Sequence, residues 1–80
     1  MDETKILELF GKQVLAIRRA RGWSQEKLAL AANLDRTYVS SVEKGRRNIS
    51  LINIYKFAKA LDVPPSSLLQ PEGVQGEQNR

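Results

Sequence analysis

The chain contains no cysteine and no histidine, and these two absences remove whole classes of chemistry. Without thiols there are no disulfides and no cysteine nucleophile; without imidazole there is no histidine acid–base catalysis, and finger-type zinc sites lose both of their ligand kinds. No metal and no cofactor is therefore expected, and a reducing, cytoplasmic setting fits the lack of cysteine. No apolar run approaches the ~18–20 residues that a membrane span requires. The opening Met1-Asp2-Glu3-Thr4 lacks the basic-then-apolar order of a signal peptide. Internal repeats and coiled-coil heptads are also missing. Eighty residues suit one small domain with a single helical core and no deep catalytic cleft.

Charge, by contrast, is plentiful and unevenly placed. The net charge is +4, yet between Lys12 and Lys59 eleven lysines and arginines stand against three acids, a local balance of +8, while residues 1–11 and 60–80 are each −2. A basic middle between acidic ends points to a polyanionic partner.

The most informative stretch runs from Ser24 to Arg46. Ser24 is placed to cap a short helix on which Leu28, Ala29 and Ala32 fall on one side. Asn33 marks its stop, since asparagine tolerates the left-handed conformation that helix ends use. Asp35 is positioned as the next cap, with Leu34 and Val39 spaced as a hydrophobic staple. Val39 and Val42 face inward on the second helix, which leaves Arg36, Thr37, Ser40 and Ser41 facing out. Two short helices around a tight turn, the second with small polar side chains and one arginine on its free face, form a helix-turn-helix pattern.

Around this motif the periodicity predicts three more helices. The first runs from about Asp2 or Thr4 to Arg21 with Ile6, Phe10, Val14 and Ile17 as its apolar stripe, and Gly22 ends it. Gly11 interrupts that stripe at a local cost of roughly 1 kcal/mol against alanine, a sign of close helix contact. Trp23 is expected to pack at the helix junction. Gly45 stops the third helix, Ser50 caps a fourth with Leu51, Ile54, Phe57, Ala58 and Leu61 on its core face, and Pro65 opens a short fifth ending at Leu69. The expectation is an all-α, five-helix domain over residues 1–69. Residues 70–80, polar and without period, are expected to be a disordered tail.

Gln25, Ala29, Leu34, Val39, Val42 and Glu43 stand at the spacings of the lambda-repressor/Cro-like (XRE) helix-turn-helix family, which the chain resembles from about Phe10 to Leu69. The runs L-D-R-T-Y-V-S and E-K-G-R-R-N-I-S resemble, more narrowly, the controller proteins of restriction–modification systems. The resemblance implies an arginine–glutamate pair between Arg18 and Glu43 that ties the first helix to the third. It also implies base reading by the residues at Arg36, Thr37 and Ser41, with Ser40 a weaker member of the set. Chemically, an arginine donates two hydrogen bonds to guanine O6 and N7, and a threonine offers a hydroxyl and a thymine-compatible methyl. Phosphate contacts are expected from Gln25, Tyr38, Lys44, Arg46, Arg47, Asn48 and Ser50, with packing against the second helix the competing role for Tyr38.

One domain of this size reads few base pairs, so a homodimer is expected on a palindromic double-stranded DNA operator, its recognition helices ~34 Å apart. Ile52, Tyr55, Val63, Leu68 and Leu69 are the candidate interface residues, on the region through which controller proteins dimerise; the competing role is completion of the monomer core. The resemblance implies a transcriptional regulator of its own promoter and that of an endonuclease, with RNA polymerase as a further partner, and no enzymatic activity. Ser41-Val42-Glu43-Lys44 matches an S-x-x-K spacing, but companion catalytic motifs are missing. Alternatives are a phage-type repressor, an antitoxin, and, from another class, a protein-interaction module that does not bind DNA.

Overall fold

Five helices follow one another in the computed structural model, which describes residues 2–69: α1 Glu3–Ala20, α2 Gln25–Ala32, α3 Arg36–Glu43, α4 Leu51–Leu61 and α5 Pro65–Leu69. No strand occurs among the described residues. The expected tail, 70–80, lies outside that range.

Local chemistry sets the boundaries. The side chains of Asp2, Ser24 and Ser50 each accept the amide hydrogen three residues on, from Lys5, Lys27 and Asn53 at 2.8, 3.0 and 3.1 Å, and so start α1, α2 and α4. All four longer helices end in the same way. Gly22, Asn33, Gly45 and Asp62 take left-handed backbone with φ of 73°, 58°, 74° and 58°. In each case the following amide then donates back five residues: Trp23 to Arg18, Leu34 to Ala29, Arg46 to Ser41 and Val63 to Ala58, at 2.9–3.1 Å. These closures satisfy carbonyls that would otherwise be left bare at each helix end. Gly22, Asn33 and Gly45 stop their helices as the sequence predicts. Asp62 does so without any sequence signal, because aspartate enters this conformation only at a cost.

The core draws on every helix. Phe10 and Val14 of α1, Leu28 and Ala29 of α2, Val39 and Val42 of α3, Phe57, Ala58 and Leu61 of α4, and Leu68 of α5 form one buried cluster. Phe10 and Phe57 meet edge to face with centroids 6.3 Å apart and planes at 73°, a geometry that the ring quadrupoles favour. Of the other expected core residues, Ala32 is buried outside this cluster, Ile17 and Ile54 pack half-buried against it, and two are exposed. Leu51 is 67% exposed, since it opens α4 and its side chain leans back toward the helix start, away from the packed turns. Ile6 is 49% exposed, because the first turns of α1 carry the stripe out to an open apolar hollow that Ile6 shares with Leu69.

α1 organises the rest. Gly11 touches α3 backbone to backbone: a Cβ there would lie 2.4 Å from the carbonyl oxygen of Val42 and 2.7 Å from that of Glu43. The disruptive glycine of the sequence is thus a point where α1 and α3 approach too closely for any side chain. Gln13 Nε2 donates to the Ser67 carbonyl of α5 at 2.8 Å, and Arg21 Nη1 to the Leu61 carbonyl at the end of α4 at 2.9 Å. α3 is held against this frame with one side free.

Candidate nucleic-acid interface

An α-helix turns about 100° per residue, so Arg36, Thr37, Ser40 and Ser41 share an arc of about 140° on α3. Tyr38, Val39, Val42 and Glu43 share the opposite side. Burial follows this division: Val39, Val42 and Glu43 are buried, Tyr38 is half-buried, Arg36 and Thr37 are exposed, and Ser40 and Ser41 are half-buried. The four candidate base readers therefore lie together on one face. None of them carries a negative charge.

The one carboxylate of α3 is turned inward. Glu43 receives Arg18 through two parallel hydrogen bonds, Nε to Oε2 at 2.6 Å and Nη2 to Oε1 at 2.9 Å, and Arg18 Nη1 also donates to the Trp23 carbonyl at 2.8 Å. The side chains are 9% and 4% exposed, so the pair is shielded from water and its fork geometry uses both partners fully. The bond to Glu43 raises the Arg18 pKa above its ordinary value against the opposing effect of burial. The pair implied by the family resemblance is thus present, and it is the only ion pair among the described residues.

Gln25, a candidate phosphate contact, joins the same network: its Nε2 donates to Glu43 Oε1 at 2.9 Å. It braces the start of α2 against the end of α3 and keeps one amide hydrogen for another acceptor. Thr37 Oγ1 donates to Asp35 Oδ2 at 2.5 Å. Asp35 occupies the cap position of α3 in extended backbone, but its carboxylate accepts no helix amide, so the expected side-chain cap is replaced by this contact.

The remaining candidate phosphate residues surround the carboxyl end of α3 and the turn that follows. Lys44, Arg46, Arg47, Asn48 and Ser50 are exposed, and the four cations Arg36, Lys44, Arg46 and Arg47 have no acidic partner among the described residues. The Arg47 guanidinium lies 5.2 Å from the centre of the Tyr38 ring, within cation–π range. Tyr38 OH accepts from Asn53 Nδ2 at 3.0 Å, so its hydroxyl hydrogen remains available to an outside acceptor. Its hydroxyl is thus tied to α4, while its side chain packs half-buried against the core. Asn53 has no signal of its own in the sequence beyond following the Ser50 cap by three residues. Trp23 is half-buried against the core, with Arg21 and Lys27 at 5.0 and 5.3 Å from its ring centre.

The candidate interface residues divide. Ile52, Tyr55 and Leu69 are 67%, 57% and 57% exposed and stay free for a second copy. Val63 is half-buried against the core. Leu68 must be corrected: it is 1% exposed, because α5 folds back over α1 and α4 and drives it inside the monomer. Beside Leu69 an apolar hollow of about 340 Å³ opens between Ile6, Phe10, Ile49 and Ile54. Among the described residues there is no acidic cluster able to hold a metal ion and no helix long and apolar enough to cross a membrane.

Residues 14–68 match the family model described as Helix-turn-helix, HTH_3. The chain belongs to this helix-turn-helix family. Within it, the chain is 53% identical over 62 residues to Control protein C.BamHI of Bacillus amyloliquefaciens, covering 76% of each chain. The crystal structure of the restriction–modification controller protein C.AhdI from Aeromonas hydrophila superposes with a TM-score of 0.76 at 52% identity, over 78% of this chain and 94% of that one. The controller protein C.Esp1396I, solved as a tetramer in complex with its natural 35-base-pair operator, superposes with a TM-score of 0.74 at 33% identity, over 79% and 83% of the two chains. The likeness to controller proteins thus spans more than three quarters of the chain.

Proposed function

We propose that the chain is a transcriptional regulator of the restriction–modification controller type, acting in the cytoplasm as a homodimer on a palindromic operator. The observation that carries this is the exposed arc of Arg36, Thr37, Ser40 and Ser41, free of acids because Glu43 is turned inward onto Arg18. A helix with such a face fits the major groove, where arginine and short hydroxyl side chains meet base edges. Lys44, Arg46 and Arg47 supply the sequence-independent part by releasing counterions from phosphates. Asn48, Ser50, Tyr38 and the free amide hydrogen of Gln25 fix the register on the backbone. Ile52, Tyr55 and Leu69, on α4 and α5, are the candidate residues left exposed to join two copies. The tetramer of C.Esp1396I on its natural operator supports extending DNA binding and self-association to this chain, and RNA polymerase is the further partner of an activating controller.

Selection of bound sequences from a random duplex library, followed by titration of the winner at several salt concentrations, tests this. A palindrome with half-sites about one turn apart and a steep salt slope is expected. Absence of enrichment, with weak binding that salt hardly alters, would replace the operator reading with that of a protein-interaction module.

A further inference from the structure

A threonine hydroxyl that is free to rotate discriminates poorly, because it donates or accepts as its partner requires. Thr37 is not free in this way. Its Oγ1 donates to Asp35 Oδ2 at 2.5 Å, in the short range of hydroxyl–carboxylate bonds. Asp35 makes this contact instead of the one its position favours. Asp2, Ser24 and Ser50 at the corresponding sites of α1, α2 and α4 all bind a helix amide, and Asp35 alone does not. A carboxylate only accepts, so the hydroxyl hydrogen is directed toward Asp35 and the lone pairs of Oγ1 are left facing away from it. Both residues are exposed at the amino end of α3, adjacent to Arg36.

We infer that Asp35 is a positioning residue that makes Thr37 an acceptor, so that Thr37 selects a base presenting an exocyclic amino group, adenine N6 or cytosine N4. Guanine O6 and thymine O4 are disfavoured there, since each would meet Oγ1 oxygen to oxygen. Every base pair has an amino base on one strand, so the selection acts on the orientation of the pair. Arg36, which only donates, has the opposite demand and takes guanine acceptors. The recognition helix then begins with a donor and an acceptor side by side, a two-letter polarity that neither residue type specifies alone. The inference rests on the operator-binding reading and adds the chemical class of one base to it.

Duplex-library selection with the full chain, Thr37→Val, Asp35→Ala and Thr37→Ser tests it. Thr37→Val identifies the position read. At that position the unaltered chain is expected to place an amino base on one fixed strand, and deleting that amino group from the selected duplex should weaken binding about tenfold. Asp35→Ala should bring both orientations of the pair to within about twofold while the guanine read by Arg36 stays enriched. Because the Asp35 carboxylate caps no backbone amide of α3, the variant is expected to fold, which thermal melting confirms independently. Thr37→Ser should keep the preference, since it keeps the hydroxyl. A preference that survives Asp35→Ala, or that does not respond to removal of the amino group, overturns the inference alone. No enriched sequence for the unaltered chain overturns it together with the operator-binding reading.

Discussion

Gly11 faces the carbonyl oxygens of Val42 and Glu43 so closely that an added Cβ would sit 2.4 Å from the first. Helix propensity favours alanine there by about 1 kcal/mol, but the obstacle is backbone and cannot rotate aside. Gly11→Ala is therefore expected to destabilise by about 2 kcal/mol net, as overpacking of a tight contact does. Urea unfolding monitored by circular dichroism measures this, and an unchanged or higher midpoint would mean that α1 and α3 separate without cost.

Glu43→Gln keeps the shape of the buried pair but removes its charge and one acceptor, leaving the Arg18 guanidinium shielded and partly unpartnered. A loss of about 3–5 kcal/mol is expected. Replacing both residues together, Arg18→Met with Glu43→Leu, should cost less than Glu43→Gln alone, and a double-mutant cycle by chemical denaturation decides it.

The same pair fixes a pH expectation. Its cation has a raised pKa, caused first by the Glu43 hydrogen bond. A raised value gives stability that is complete below the unfolded-state pKa and is lost only as pH rises through the folded-state value. The urea midpoint should show no loss from Arg18 between about pH 7 and about pH 10, and a fall in this window that disappears in Arg18→Met would contradict the assignment.

Asp62 holds a left-handed φ of 58° and is a negative charge at the carboxyl end of α4. Glycine removes both the steric cost and the unfavourable interaction with the helix dipole. Asp62→Gly is expected to stabilise by about 0.5–1 kcal/mol, with a smaller gain for Asn33→Gly because asparagine tolerates the conformation better. Melting temperatures of the two variants give the order directly.

Arg36→Ala and Arg46→Ala should differ in kind. The first is expected to weaken the selected operator by about 1–3 kcal/mol and relax one position; the second should weaken every duplex about equally and lower the salt slope by about one. Titrations of specific and scrambled duplexes at several salt concentrations separate them, and matching behaviour would dissolve the division between reading and positioning.

Much of this was legible in the sequence because it depends on neighbours along the chain. The caps at Ser24 and Ser50, the stops at Gly22, Asn33 and Gly45, and the inward pair Val39 and Val42 follow from local rules of period and turn. What was illegible depends on partners far away. Leu68 reads as surface until α5 is seen folded over α1, and Leu51 reads as core until it is seen in a first turn with nothing opposite. Asn53 gains its meaning only from Tyr38 fifteen residues earlier. One local reading also failed: Asp35 gave its carboxylate to the Thr37 hydroxyl where capping rules assign it to a helix amide.

The division of α3 into a fastened side and a free side has an evolutionary consequence. The residues that hold the helix in place, Val39, Val42 and Glu43 with Arg18 and Gly11, are separate from Arg36, Ser40 and Ser41, whose side chains make no hydrogen bond to another described residue. If that free side reads the operator as proposed, substitutions on it would alter which promoter is recognised at little cost in folding, so a lineage carrying this scaffold would drift to a new operator in single steps while remaining folded.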